Sequence, residues 1–321
     1  MTDAPRLRVL VRRMTWEAED VLSLDLEGPD GHELPDWTPG SHVDLVLPGG
    51  LIRQYSLCGS PERRDCWTIT VLREPGGAGG SDYVHTVLRP GMIVEVAGPR
   101  NNFPLHDAPQ YLFIAGGIGI TPLLPMIGEA RRTGREMRLL YGGRRRQSMA
   151  FIGQVGGLEG VTIAPEDEVG LLDLTSAIGS SPPDTAVYCC GPERLIAAVE
   201  SCCADLGRPR PHVERFTARP DHMLELRAAQ AANKEFAVVV AGTGLRVTVP
   251  ADRSIAEALD EAGIFVPTSC TEGYCGVCQT GVVDGIPEHR DDYLSAEERA
   301  SNTSMMVCCG RSRTPELVLD V

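Results

Sequence analysis

Residues 267–281 read PTSCTEGYCGVCQTG, and their cysteines, Cys270, Cys275 and Cys278, fall in the order C-x4-C-x2-C. A further pair, Cys308-Cys309, follows in MVCCGRS. One tight loop plus one distant thiol is the spacing that wraps a plant-type [2Fe–2S] cluster. Four thiolates must converge on two irons. Gly273 and Gly276 lie between the loop cysteines, where a missing Cβ lets backbone N–H groups approach sulfur. A zinc site would pair two C-x2-C-like units, and only one is present. Residues adjacent in a strand face opposite ways, so only one of Cys308 and Cys309 should face the irons.

Around this loop, residues 236–321 begin with two β runs, FAVVVA and LRVTV, joined through Gly242-Thr243-Gly244. A helix is expected at about 253–262, with Asp252 or Ser254 as N-cap and Gly263 as its stop. A second, short helix should start at Ser295, where Glu298 completes a capping box. ELVLDV closes the segment as a strand. This α+β pattern resembles the β-grasp ferredoxin fold.

Upstream, residues 107–220 alternate apolar strands (111–115, 137–141, 161–164, 186–190, 212–216) with helical stretches, the βαβ signature of a parallel sheet. Residues 1–106 read as an antiparallel β-barrel. Leu22, Leu24 and Leu26, then Val43, Leu45 and Leu47, then Trp67, Ile69 and Val71 alternate with other residues between turn signals. Residues 221–235 carry no strand pattern and read as a linker. The chain is therefore expected to be multidomain: a β-barrel, an α/β domain and an α+β ferredoxin domain.

The 321 residues carry a net charge of −14, which argues against nucleic acid and anionic membranes as partners. About half of that charge falls on residues 236–321. Acids near the cysteine loop (Glu272, Asp284, Glu288, Asp291, Asp292) are either a solvated face or a steering surface for a basic partner. Eleven cysteines in a long chain without an expected signal segment fit a reducing cytoplasm, with Cys58, Cys66, Cys202 and Cys203 as free thiols. The uncharged run YLFIAGGIGITPLLPMIG (111–128) is broken by glycines and prolines, and reads as strand, turn and helix start rather than a membrane span. None of the seven histidines has metal-ligand spacing.

A flavin at a barrel mouth needs an apolar ring, a donor for its N5/O4 edge and a cation for its phosphate. Tyr55, Ser56 and Arg53 supply these within four residues. Gly79-Gly80-Ser81 precedes a helical stretch whose N-terminal amides suit a phosphate. Gly116-Gly117-Ile118-Gly119-Ile120-Thr121-Pro122 opens the first helix of the parallel sheet, where amides can reach a pyrophosphate. Cys190-Gly191-Pro192 ends the fourth strand, at the edge where ligands of such sheets sit. Arg144-Arg145-Arg146 follows the second strand, and is either a solvated cluster or a seat for a ribose 2′-phosphate.

The order RQYS, GGS, GGIGITP, CGP, C-x4-C-x2-C, together with PRNNFPL (99–105), MVCCGRS and ELVLDV, resembles the phthalate dioxygenase reductase family, including vanillate demethylase reductases. Gly310 departs from that family's serine. The resemblance implies FMN held by Arg53, Tyr55, Ser56, Gly80 and Ser81. It implies a nicotinamide nucleotide, usually NADH with NADPH as the alternative, held by Gly117, Thr121, Cys190, Gly191 and Pro192. Cys270, Cys275, Cys278 and Cys308 would ligate the irons. Phe216 would either shield the flavin or sit in a core. The implied activity is an NAD(P)H-dependent reductase that feeds a separate Rieske non-haem iron oxygenase. The alternatives are a haem-thiolate monooxygenase as acceptor, or a slow redox-sensing module.

Overall fold

The alternating apolar runs of the first hundred residues pair side by side in one antiparallel sheet. The structure, a computed structural model, describes residues 6–48, 51–76, 79–217, 220–268 and 270–321. Strands β1 (Leu7–Ala18), β2 (Val21–Glu27), β3 (Ser41–Leu47), β4 (Leu51–Ser56), β5 (Cys66–Leu72) and β6 (Ile93–Asn101) take the order β4-β3-β6-β1-β2-β5. A Leu57–Ile69 bridge joins the two edges. Closure leaves no long edge to pair with another chain. Val9, Leu24, Val43, Leu45, Trp67 and Ile69 fill the interior.

Period-2 alternation predicts a wet outer face for β3, yet His42 and Asp44 are buried too. Arg100 donates to Asp44 Oδ2 at 2.5 Å, which compensates the burial of that carboxylate. Desolvation, and then the Arg100 charge, pushes the His42 imidazole down to about 4. Both faces of this strand are therefore structural.

The parallel sheet follows, with β7 (Gln110–Gly116), β8 (Glu136–Gly143), β9 (Val161–Pro165), β10 (Ala186–Cys190) and β11 (His212–Glu214) in the order β11-β10-β7-β8-β9. Helix Leu123–Arg132 covers one face, where Leu123, Met126 and Ile127 pack with Phe113, Tyr141 and Tyr188. Helix Glu193–Asp205 covers the other, where Ile196, Val199 and Cys203 pack with Leu112, Ile114 and Val187. The run 111–128 divides into strand, turn and helix as expected. Among the described residues no helix is long and apolar enough to cross a membrane.

The C-terminal sheet contains β12 (Phe236–Val240), β13 (Arg246–Val249), β14 (Gln279–Asp284), β16 (Ser304–Met306) and β18 (Glu316–Asp320), in the order β13-β12-β18-β14-β16. A short pair, β15 (Pro287–Glu288) and β17 (Arg311–Ser312), stands beside it. Of the two N-cap candidates, Ser254 caps helix Ile255–Glu261, and Glu257 completes a capping box. Ser295 and Glu298 form the second box.

Two outcomes differ from the expected domain plan. The barrel and the parallel sheet belong to one compact unit that ends at Glu214, and the second unit starts at Arg215. Residues 221–235, read as a linker, lie within the second unit and include most of the helix Pro220–Gln230. The segment lacks strand alternation but has helical spacing, with His222, Leu226 and Ala229 on its less exposed side. Replacing Ser254 with Ala is expected to cost about 1 kcal/mol, because the Glu257 amide loses its side-chain acceptor. A lowered denaturation midpoint of the C-terminal unit, followed by circular dichroism, checks this.

Candidate electron-transfer site

The Cys270–Cys278 loop leads directly into β14. Its backbone explains why sulfurs can gather there. Gly273 has φ +80°, and a Cβ on it would lie 2.6 Å from Cys309 Sγ and 2.9 Å from Asp291 Cα. Gly276 has φ +75°, and its Cβ would lie 2.4 Å from the Tyr293 ring. Only glycine fits both positions.

The Cys270 sulfur accepts from the Cys275 and Cys308 thiols and from the amides of Glu272 and Tyr274, which holds it well below the ordinary thiol range. The Glu272 amide lies 3.4 Å from that sulfur. As donors to Cys270, Cys275 and Cys308 are pushed up. Cys308 also contacts Cys278. The four cysteines of the sequence motif are thus brought together, with amides aimed at sulfur. Among the described residues no three His, Cys, Asp or Glu side chains surround a single-ion position. This donor set, linked through Cys275–Cys270, Cys270–Cys308 and Cys308–Cys278 and served by backbone N–H groups, fits a binuclear iron–sulfur group.

Strand alternation does not choose between the adjacent cysteines, because β16 ends at Met306 and both lie in the turn after it. Contacts distinguish them instead. Cys308 touches Cys270 and Cys278, whereas Cys309 contacts Cys308. The acidic set also changes. Asp291 is buried and accepts from the Leu294 amide at 2.8 Å, and Glu288 accepts from Arg290 at 2.8 Å. Neither is a free surface charge.

At the barrel mouth, Arg53 from β4 crosses Gly80 at the start of helix Gly80–Thr86, where an added Cβ would meet Arg53 Cγ at 2.6 Å. Two segments picked separately from sequence are therefore in contact. Ser81 Oγ accepts from the Glu74 amide at 3.1 Å, which ties the start of the helix to the end of the β5 segment. Burial raises the Tyr55 hydroxyl to about 12, so the ring stays neutral. Ser56 is buried and donates to Glu214 Oε2 at 3.4 Å.

Glu214 was not legible from sequence, where HVERF gives no motif and Ser56 is far away. It ends β11, and desolvation pushes its carboxyl up to about 8. Cys190 ends the neighbouring β10 and is wholly buried, and its thiol is raised by desolvation and then by Glu214. Ser56, Glu214 and Cys190 thus converge on the carboxyl edge of the parallel sheet.

Two turns close that edge, backbone on backbone. A Cβ on Gly119 would lie 2.2 Å from the Cys190 carbonyl oxygen, and one on Gly191 would lie 2.9 Å from Gly116 Cα. Gly117 takes φ +54°. Thr121 is buried and its hydroxyl donates to Ile118 O at 2.9 Å, so it shapes the turn rather than facing outward. Pro192 precedes helix Glu193–Asp205. At the end of β8, Arg145 pairs with Glu19 at 2.7 Å and Arg146 with Glu168 at 2.6 Å. Phe216, for which a core position was one expectation, is 38% exposed as a residue.

A closed barrel, a parallel sheet with a glycine turn at its carboxyl edge, and a four-cysteine β-grasp unit define an iron–sulfur reductase that takes electrons from a nicotinamide nucleotide. Residues 238–313 match the 2Fe-2S iron-sulfur cluster binding domain. The chain is 39% identical to phenoxybenzoate dioxygenase subunit beta of Ectopseudomonas oleovorans, over 97% of this chain and 96% of the relative. It is 35% identical to phthalate dioxygenase reductase of Burkholderia cepacia, over 98% and 97%. The solved structure titled phthalate dioxygenase reductase, a modular structure for electron transfer from pyridine nucleotides to [2Fe–2S], matches with TM-score 0.71 over 98% of each chain, at 35% identity. An intact type IV self-sufficient cytochrome P450 monooxygenase matches with TM-score 0.87 at 37% identity, over 98% of this chain and 41% of that one. The chain belongs to the phthalate dioxygenase reductase family and is an oxidoreductase of the FMN, NADH and [2Fe–2S] type.

Glu214 makes a pH prediction. A raised carboxyl binds a proton in the folded chain that the unfolded chain has already lost. Its stabilising contribution is therefore full below the ordinary carboxylate range and is lost as pH rises to about 8. Relative to Glu214→Gln, the native chain should lose several degrees of melting temperature between about pH 5 and 8, on the order of 3 kcal/mol. Parallel melting curves at all pH values would contradict this.

Proposed function

We propose that this chain is the reductase component of a two-protein oxygenase system, and that it delivers electrons from NADH to a separate Rieske-type non-haem iron oxygenase. The observation that carries the reading is the linked set of contacts Cys275–Cys270, Cys270–Cys308 and Cys308–Cys278, with backbone amides aimed at the Cys270 sulfur. The same chain also holds the Arg53–Gly80 and Gly119–Cys190 approaches. When bound, FMN turns the electron pair of a hydride into single electrons, which a [2Fe–2S] centre passes on one at a time.

The residues prepare for that chemistry. Arg53, beside Gly80 and Ser81, supplies a cation and amides for the flavin phosphate. Tyr55 would offer a neutral ring to the isoalloxazine, and Ser56 would offer a hydroxyl to its polar edge. Glu214, protonated below about pH 8, can hold a proton on the carboxyl that accepts from Ser56. The Gly117 turn, shaped by Thr121, and the Cys190-Gly191-Pro192 wall seat the dinucleotide with backbone groups. Cys270, Cys275, Cys278 and Cys308 ligate the irons, because Cys308 touches two of the loop sulfurs. No side-chain acid or base is needed to break a substrate bond, and the role of the protein is alignment and exclusion of water.

A second acceptor has an observation of its own. A chain titled as a self-sufficient P450 monooxygenase contains a segment that this whole chain matches. A haem-thiolate monooxygenase therefore remains the competing partner. NADH-driven turnover with purified Rieske oxygenases and with P450 proteins decides between them. Coupled product with a Rieske enzyme supports the proposal, and coupling only to a P450 overturns the choice of partner.

For the donor, Arg145 and Arg146 are already engaged by Glu19 and Glu168, and Glu166 and Asp167 add negative charge at the same edge. Of the three arginines only Arg144 has no ion pair among the described residues, and with Asp167 at the same edge a 2′-phosphate would meet little surplus positive charge. NADH should exceed NADPH in kcat/KM by at least about tenfold, roughly 1.4 kcal/mol. Equal values would place a phosphate seat among these arginines.

A further inference from the structure

The helix Pro220–Gln230, near the start of the C-terminal unit, carries a histidine with no role in the scheme above. His222 is 5% exposed, although its helix, Pro220–Gln230, is otherwise largely solvated. Its Nε2 lies 3.0 Å from the carbonyl oxygen of Glu272, inside the cysteine loop. A carbonyl can only accept, so Nε2 carries the proton and donates.

The peptide geometry gives this bond a consequence. In a trans peptide the C=O and the following N–H point to opposite sides. The next peptide illustrates the effect. Its carbonyl, Gly273 O, accepts from the Asp292 amide at 3.0 Å, and its N–H, that of Tyr274, donates to the Cys270 sulfur. By the same geometry, anchoring Glu272 O to the helix turns the Gly273 N–H toward the sulfur side of the loop. N–H groups directed at sulfur stabilise the more negative, reduced form and raise the potential.

We propose that His222 is a positioning residue for the iron–sulfur centre, holding the 272–273 peptide so that the Gly273 amide serves the cluster. The proposal rests on the reading of Cys270, Cys275, Cys278 and Cys308 as ligands. The bond lies within the C-terminal unit, so the helix is part of the ferredoxin's electrostatics as well as a connection.

The test compares the full-length holoprotein with His222→Ala and His222→Gln, the glutamine keeping an N–H donor. Iron, acid-labile sulfide and flavin are measured first. The cluster potential is then titrated against redox dyes, with electron paramagnetic resonance of the reduced state. His222→Ala should keep its iron but show an altered resonance, and its one-electron equilibrium should shift about threefold toward the oxidised form, roughly 30 mV. His222→Gln should recover most of that shift. An alanine variant with native potential and resonance overturns the proposal, as does a glutamine variant displaced as far as the alanine one. Should the alanine variant lose its iron, the glutamine variant decides: a native potential supports the role, and a displaced potential or lost iron refutes it. A native protein with no iron would instead defeat the ligand reading itself.

Discussion

Peptide orientation in residues 271–274 is the constraint on which the electron-transfer site depends. A centre ligated by thiolates carries negative charge into a partly buried loop, and carbonyl oxygens facing it would raise its energy further. The loop meets this by turning carbonyls outward to fixed donors, the His222 ring for Glu272 and the Asp292 amide for Gly273. Amides are then left for sulfur. Left-handed glycines allow the reversals, and the Tyr293 ring and Asp291 backbone pack where their side chains would have been.

The nucleotide edge is solved by a related device. Here two turns approach so closely that Gly119 and Gly191 have no room for a Cβ, and the edge is built from backbone rather than side chains. Backbone groups placed by a parallel sheet are rigid, which suits a site that must align a ring without reacting with it. The polar side chains that converge there, Ser56 and Glu214, come from different sheets.

Much of this was legible in the sequence because it is local. The cysteine spacing, the Ser254 and Ser295 capping boxes, the GGIGITP turn and the alternation of the first strands are all written within a few residues. The missing parts depend on distance or context. Glu214 acquires its environment from β4 and β10, remote in the chain. His222 lies in a stretch that lacks strand periodicity, and its meaning appears only when the helix docks on the loop. Asp291 reads as a surface acid until its carboxylate is seen capping backbone amides at Tyr293 and Leu294. Adjacent Cys308 and Cys309 could not be separated by strand parity because the chain turns there.

The central claim is that four sulfurs of the C-terminal unit hold a binuclear iron centre fed by a flavin in the barrel. The most direct measurement is rapid-mixing spectroscopy of the anaerobically purified chain with NADH, alongside its iron and acid-labile sulfide content. The account predicts about two irons and two sulfides per chain. It also predicts bleaching of the flavin band followed by appearance of the reduced-cluster resonance. Flavin reduction with no iron bound after anaerobic reconstitution, or a cluster that NADH never reduces, would contradict it.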